Sequence, residues 1–149
     1  MGFFDANTIT SDANLIIPNA GQYEFGILES KMHMVWMRTV AGRLESRYRY
    51  SAKLVYNNYP WPNPNPKQKA AVEKAAQAVL NARERYPDSS LADLYDPITM
   101  PAELRKAHRS LDKAVDNSYK TKLFKASFKS DGERLAFLFE RYQVLIKEG

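Results

Sequence analysis

The chain contains no cysteine, only two histidines, and no long apolar run. The absence of cysteine excludes disulfides, thiolate metal sites and cysteine nucleophiles, and it is typical of a cytoplasmic protein. His33 and His108 lie far apart in the sequence, so a histidine-rich metal site is not expected. No apolar stretch approaches the ~20 residues that span a membrane, and no basic region followed by an apolar core opens the chain. We therefore expect neither a membrane partner nor a secretory signal.

The net charge of +5 permits a nucleic-acid partner but does not require one. The 149 residues suit one domain or two small ones, and an apolar content of 44% is ordinary for a globular protein. Much of the excess charge lies between Gly42 and Lys53. That short stretch holds one acidic residue, Glu45, and four basic ones: Arg43, Arg47, Arg49 and Lys53.

This stretch belongs to the segment GRLESRYRYSAKLVYNNYPWP, residues 42–62, in which basic residues and tyrosines alternate. In an extended chain, successive side chains point to opposite faces. The alternation therefore predicts one face formed by Glu45, Arg47 and Arg49 and another formed by Ser46, Tyr48 and Tyr50. A strand with these two faces can pack on a core while it reads a polar surface. Arg donors and Glu acceptors are the groups that read base edges in a DNA major groove.

The first part of the chain combines strand-like and helical patterns. Short β-prone runs occur at residues 8–10 and 15–17, and helical apolar spacing predicts one helix over residues 23–41. Strands are predicted at residues 46–51 and 54–59. The prolines of YPWPNPNP then forbid regular helix and mark a domain boundary or strap.

The second part is rich in Ala, Lys and Glu and predicts a helical bundle. The capping residues Asn65, Pro66 and Gln68 predict a helix over residues 67–86. Ser90 predicts a short helical turn, residues 101–119 a long helix, and Ser130 with Glu133 the start of the last helix. We therefore expect an α+β fold, with a small α/β portion at residues 1–62 and a helical bundle at residues 63–149.

The run FGILESKMHMVWMRTVAGRLESRYRYSAKLVYNNYPWP resembles the target-recognition region of the MmeI-like restriction–modification enzymes. These large bacterial proteins carry a nuclease, an adenine methyltransferase and a target-recognition domain on one chain. The runs SLADLYDPITMPAELRKAHRSLDKAVDNSY and ERLAFLFERYQVL resemble the helical domain that ends them. The resemblance covers nearly the whole chain from about residue 11. It implies the C-terminal piece of a larger enzyme, either an expressed fragment or a truncated gene product.

The resemblance also implies roles for individual residues. Glu45, Arg47 and Arg49 match positions that family members use to read bases, with the first two acting as a pair. Arg pairs bidentately with guanine and Glu accepts from cytosine, so this pair suits a C·G base pair. Candidates for phosphate contacts are Lys31, Arg43 and Lys53. A surface strand with a local ion pair, or ordinary solvated charges, remain the alternatives.

Other conspicuous residues have plainer interpretations. The tyrosines and Trp61 favour core packing over stacking on bases, and Asn57 and Asn58 favour a turn. His33 predicts a packed or interfacial histidine, and His108 a solvent-facing one. The best candidates for backbone contacts in the helical part are Lys120, Lys122, Lys125 and Lys129.

We expect no catalytic, cofactor-binding or metal-binding residue in this chain. The string Asn63–Pro66 lacks the adjacent prolines and the aromatic residue of the motif that holds a flipped adenine. The parent enzyme would be an adenine-specific DNA methyltransferase with endonuclease activity. It would bind S-adenosylmethionine and a divalent metal such as Mg²⁺ outside this piece.

The sequence thus predicts a cytoplasmic fragment that recognises a specific sequence of double-stranded DNA and contacts the other domains of its parent. Edges exposed by truncation also allow a dimer. One alternative is a helical protein–protein scaffold module that makes no base contacts. Another is an RNA-binding domain that uses the tyrosines.

Overall fold

The computed structural model describes residues 1–8, 16–41 and 55–149, together with the backbone of residues 43–44 and 47–48. Their elements, in chain order, are α1 (Gln22–Glu29), α2 (Lys31–Val40), β1 (Arg43–Leu44), β2 (Arg47–Tyr48), α3 (Pro66–Glu84), α4 (Leu91–Leu94), α5 (Ala102–Ser118) and α6 (Asp131–Glu148). None of these helices is both long and apolar enough to span a membrane.

The expectation of an α+β fold is wrong. In the described chain, strand is limited to the two-residue pieces β1 and β2, and the body of the fold is helical. Residues 16–17 form no strand, and residues 55–56 form a helical turn where an extended piece was predicted. Two strands of two residues have no sheet face on which helices can pack. Side chains with β propensity adopt strands only in a suitable packing context, which these segments lack.

The single long helix predicted in the first part is two helices that meet at Ser30. The Ser30 hydroxyl donates to the Ile27 carbonyl oxygen at 2.6 Å and accepts from the backbone N–H of His33 at 3.3 Å. The backbone N–H of Lys31, which has no partner within α2, donates to the Asp112 carboxylate at 2.7 Å. The apolar spacing continues across the break, so periodicity alone predicts one helix.

Helices in the second part start where their capping residues predicted. Asn65 accepts from the backbone N–H of Gln68 at 2.9 Å, and the Gln68 side chain accepts from that of Asn65 at 2.9 Å, with Pro66 at the first position. Ser90 caps α4 by accepting from the backbone N–H of Asp93 at 3.1 Å. Each cap satisfies backbone donors that a helix start leaves free.

The last helix begins as predicted but exposes part of its apolar stripe. Ser130 accepts from the backbone N–H of Glu133 at 3.2 Å, and the Glu133 carboxylate accepts from the backbone N–H of Lys129 at 2.7 Å. Leu145 and Ile146, apolar residues near the end of this helix, are 44% and 56% exposed. The final turns of α6 therefore lie beyond the core.

The helices share one apolar core. α3 packs along α5, α1 packs on α3, and α2 packs on both α5 and α6. The core contains buried residues from α1 and α2 (Phe25, Ile27, Met32, Trp36) and from the later helices (Val72, Val79, Leu104, Leu111, Val115, Leu138). Core packing thus crosses the predicted division between residues 62 and 63, and that division stays a prediction.

Candidate nucleic-acid interface

The basic stretch after α2 contains a short antiparallel hairpin. Its backbone register pairs Leu44 with Arg47 and Arg43 with Tyr48. The predicted base reader Arg47 and the predicted phosphate contact Arg43 therefore lie on adjacent paired strands. A two-stranded ribbon is an element that the major groove of B-DNA admits.

Three other predicted site residues, Glu45, Arg49 and Lys53, lie outside the described residues. In the sequence, Glu45 falls between β1 and β2, and Arg49 follows β2 directly. The shared face of Glu45, Arg47 and Arg49 stays a prediction, as do their contacts with bases.

Both flanks of the segment at residues 42–54 are tied to α2. On one side, α2 ends at Val40 and is followed by the buried Ala41. On the other side, the Val55 carbonyl oxygen accepts from the indole N–H of Trp36, in the middle of α2, at 3.1 Å. Trp36 is 1% exposed and Val55 is fully buried. A buried donor thus holds the chain that follows the segment against the helix that precedes it.

The proline-rich strap is held by two further donors. The Tyr119 hydroxyl, at the end of α5, donates to the Pro60 carbonyl oxygen at 2.9 Å. The Arg141 guanidinium, in α6, donates to the Trp61 carbonyl oxygen from Nη2 at 3.0 Å and from Nε at 3.3 Å. Irregular chain offers no ladder for its carbonyls, so their hydrogen bonds come from side chains of other elements or from water. Two helices supply those donors here.

The tyrosines near the strap belong to the core. Tyr59 is 4% exposed, and its hydroxyl lies 2.8 Å from that of Tyr119. Burial raises the pKa of both hydroxyls well above the usual range. Burial also raises the pKa of Tyr23 to about 12, and the Tyr23 hydroxyl has no hydrogen-bond partner in the part of the chain that the structure describes. The core interpretation is confirmed for Tyr59, whereas the side chains of Tyr48 and Tyr50 lie outside the described residues.

Lys31 is exposed at the first position of α2, beside the half-buried Asp112. Burial raises the pKa of the Asp112 carboxyl, and both the backbone N–H and the charge of Lys31 act against that rise. Lys31 thus has an attractive partner within the protein. Its contact with phosphate stays a prediction.

The connector between α5 and α6 presents a cluster of cations. It contains no acidic residue, and its lysines Lys120, Lys122, Lys125 and Lys129 are exposed. Among the described residues, none of their ammonium groups forms an ion pair with a carboxylate. Phe124 stacks on Phe137 of α6 with ring centroids 4.9 Å apart, which ties the connector to the bundle.

The two histidines are structural. His33 is 1% exposed, which confirms the prediction of a packed or interfacial histidine. Burial lowers its pKa to about 4. The solvent-facing prediction for His108 is wrong, because its side chain is half-buried and Nε2 lies 2.6 Å from the Tyr95 hydroxyl. That hydroxyl also accepts from the Arg83 guanidinium at 2.6 Å and 2.8 Å. No local pattern marks this network, since its members come from three helical segments.

The described residues contain neither a cluster of metal-ligating side chains nor a glycine-rich loop. Within them, no group of three His, Asp or Glu side chains is placed to hold a metal. Interior carboxylates pair with arginines instead: Glu29 with Arg83 at 3.2 Å, and Asp116 with Arg134 at 2.6 Å. The described glycines lie singly at chain ends, helix ends or helix contacts, so they form no glycine-rich loop.

Sequence reasoning missed the three anchoring side chains. The apolar pattern marks Trp36 only as a stripe residue and does not single out Tyr119 or Arg141. A signal was present in the prolines, because a proline-rich strap against a core needs donors for its carbonyls. The sequence does not say which residues supply them.

Two family models match the chain. The target recognition domain of MmeI matches residues 1–63, and the C-terminal domain of MmeI matches residues 64–148. A relative from Bacillus subtilis (strain 168), DNA methyltransferase A, is 45% identical over 145 residues, which is 97% of this chain and 16% of the relative.

A solved structure of the Type IIL restriction–modification enzyme MmeI in complex with DNA is also similar to this chain. It is 58% identical, with a TM-score of 0.81, over 88% of this chain and 17% of that one. The chain therefore spans less than a fifth of the length of either relative.

Proposed function

Because the chain belongs to the MmeI family, through its target recognition and C-terminal domains, we propose that it recognises a specific sequence of double-stranded DNA for a larger restriction–modification enzyme. The observation that carries the proposal is the antiparallel hairpin containing Arg47, which lies within the range matched by the target recognition domain. This hairpin lies within residues 42–54, and the chain on either side of that range is tied to α2 at Ala41 and Val55. A fixed support of this kind favours the reading of DNA bases, because hydrogen bonds to base edges require a fixed geometry.

In this mechanism, side chains of the hairpin read the major groove. The Arg47 fork donates to O6 and N7 of a guanine, and Glu45 accepts from N4 of the paired cytosine. Together they read both members of one C·G pair. Arg49 reads a neighbouring base.

Basic residues beside the hairpin in the sequence, together with the connector lysines, hold the phosphates. Arg43 and Lys53 flank the reading residues in the sequence, and the exposed connector lysines form no ion pair with a carboxylate of the described residues. Phosphate contacts set the register of a protein on the duplex without reading its sequence. Lys31 adds a weaker contact, since Asp112 lies close to it.

The parent enzyme would methylate an adenine in the recognised sequence and cleave the DNA. The similarity to a DNA methyltransferase, of which this chain matches 16%, supports this wider proposal. S-adenosylmethionine supplies the methyl group and a divalent metal such as Mg²⁺ supports cleavage, both bound by other parts of the parent. Such an enzyme would work in the cytoplasm, where bacterial DNA lies.

Exchanging Arg47 tests base reading. Arg47→Lys keeps the charge but loses the planar fork, so binding to random duplex should change less than about twofold, while discrimination at one base pair falls about tenfold or more. Arg47→Ala should also weaken random binding and lower the salt dependence. Selection from a randomised duplex library gives the preferred sequence, and titrations at several salt concentrations give the affinities.

Arg109→Ala is the matched control, because Arg109 is exposed on α5 and lies outside the hairpin. It should leave the preferred sequence unchanged. If Arg47→Lys and Arg47→Ala both select the wild-type sequence with wild-type discrimination, Arg47 does not read a base.

A protein–protein module remains the second candidate, because α6 ends in an exposed apolar patch. Val144, Leu145 and Ile146 are 48%, 44% and 56% exposed. Such a patch suits another domain of the parent or a second copy of this chain. A pure interaction module would show no binding to duplex DNA that weakens with salt, so the same titrations separate the two functions.

A further inference from the structure

Three buried or half-buried side chains converge on the backbone that follows the proposed reading segment, residues 42–54. Trp36, Tyr119 and Arg141 come from α2, from the end of α5 and from α6. They donate to the carbonyl oxygens of Val55, Pro60 and Trp61. We call these three donors the backbone clamp.

The backbone clamp fixes the position of the protein backbone, which apolar packing alone leaves less defined. A hydrogen bond fixes both the distance and the direction of a carbonyl, whereas apolar contacts tolerate sliding. Trp36 and Tyr119 are 1% and 3% exposed, so water does not replace their donors at the buried carbonyls. Arg141 lies 5.6 Å from the Tyr119 ring centroid, which joins two of the donors in one cluster.

The backbone clamp also joins the two sequence regions matched by the separate family models. Val55, Pro60 and Trp61 lie in the region matched by the target recognition domain, while Tyr119 and Arg141 lie in the region matched by the C-terminal domain. The helices of the second region therefore set where the chain after the reading segment sits.

We propose that Trp36, Tyr119 and Arg141 are positioning residues for DNA sequence discrimination. They act by fixing the protein backbone that supports residues 42–54 at the groove. This inference rests on the proposed function. Hydrogen bonds to base edges depend on a narrow range of distance and angle, whereas phosphate attraction acts over several ångströms. Loosening this backbone should therefore reduce discrimination between DNA sequences far more than it reduces overall affinity for DNA.

Conservative substitutions test the backbone clamp. Trp36→Phe and Tyr119→Phe each remove one donor while keeping an aromatic ring, and Arg141→Met removes the guanidinium while keeping an apolar stem. In the intact chain, each should reduce the ratio of affinities for the preferred and a mismatched duplex by roughly three- to tenfold. Binding to random duplex and its salt dependence should change less than about twofold.

Tyr23→Phe is the matched control. It removes a buried tyrosine hydroxyl that has no hydrogen-bond partner in the described chain, so discrimination should stay at the wild-type value. Arg134→Met is a control for general destabilisation, because it breaks the ion pair with Asp116 without touching the strap. If Tyr119→Phe lowers discrimination no more than an equally destabilised Arg134→Met, the residues are merely structural and the inference is overturned.

A second measurement does not depend on DNA. Hydrogen–deuterium exchange of the free chain should be faster across residues 55–61 in Trp36→Phe and Tyr119→Phe, and unchanged there in Tyr23→Phe. Unaltered exchange across this range in both donor variants would overturn the inference whatever the DNA result. If the wild-type chain shows neither sequence preference nor salt-dependent binding, the proposed function fails instead.

Discussion

At the scale of single residues, His33 is a titratable side chain in an apolar site. It lies on the buried side of α2, and its ring meets the edge of Tyr59 with centroids 4.6 Å apart. Removing water from the ring disfavours its charged form, which lowers its pKa from 6.5 to about 4. The folded protein therefore binds a proton at His33 less readily than the unfolded chain does.

The stability of the protein should consequently depend on pH. Stability from a neutral His33 is fully present above the unfolded pKa of 6.5 and is lost as the pH falls towards about 4. A shift of this size corresponds to a loss of about 3 kcal/mol in the free energy of unfolding. Urea unfolding at a series of pH values between these limits measures it.

The variant His33→Gln removes this titration and should flatten the pH dependence. A residual slope of the same sign is expected from His108, whose pKa burial also lowers. The raised pKa of Asp112 acts in the opposite direction at the acid end. An identical slope in wild type and His33→Gln would show that the buried imidazole is not the cause.

At the scale of helices, α1 approaches α3 so closely that only a glycine fits at the contact. A Cβ at Gly26 would lie 2.9 Å from Cγ1 of Val72 and 3.2 Å from Cβ of Ala76. Distances this short force neighbouring atoms to shift. The glycine is therefore required by packing, although glycine lowers the intrinsic stability of a helix.

Gly26→Val should destabilise the protein by about 2 kcal/mol, because overpacking a filled core costs more than the gain in helix propensity returns. Thermal or urea unfolding measures the difference. Gly132→Ala is the matched control, since an added Cβ there meets nothing closer than 3.7 Å. That variant should be neutral or slightly stabilising. A wild-type stability for Gly26→Val would mean that α1 can move away from α3.

Helix starts were predictable from sequence where the cap is local. Asn65 with Gln68 and Ser90 with Asp93 lie three residues apart, so each pair is visible in the sequence. The end of α1 was not predictable, because the break at Ser30 depends partly on Asp112, 81 residues from Lys31. The α+β expectation failed for a related reason: strand propensity in a short segment does not supply a partner strand.

At the scale of the whole molecule, the core runs through both parts of the chain. Phe25, Ile27, Met32 and Trp36 pack in the same cluster as residues from α3, α5 and α6. Burying a large apolar side chain contributes about 2 kcal/mol. Removing these four would therefore cost a substantial part of the roughly 5–15 kcal/mol that stabilises a typical domain.

The two predicted parts should consequently unfold together. In the intact chain, Trp fluorescence and far-UV circular dichroism should give coincident unfolding curves. Residues 63–149 expressed alone should lose most of their stability, because the surfaces of Val72 and Leu111 that face α1 become exposed. A cooperative transition of this piece at the wild-type midpoint would instead establish residues 62 and 63 as an independent domain boundary.

By itself, the sequence determined the family and most helix positions of the second part. The family resemblance is confirmed, because long collinear runs of residues carry it. Helix positions follow from periodicity and caps, which involve neighbours within a few residues. The roles of Glu45, Arg47 and Arg49 stay predictions.

Only the tertiary structure decided how the chain that follows the reading segment is held. Trp36 meets Val55 across 19 residues, Tyr119 meets Pro60 across 59, and Arg141 meets Trp61 across 80. Such contacts depend on how distant helices pack, and a hydrogen bond between distant residues leaves no periodic trace in the sequence. The anchoring of the chain at residues 55–61 therefore became visible only in the tertiary structure, where the helices pack around one core.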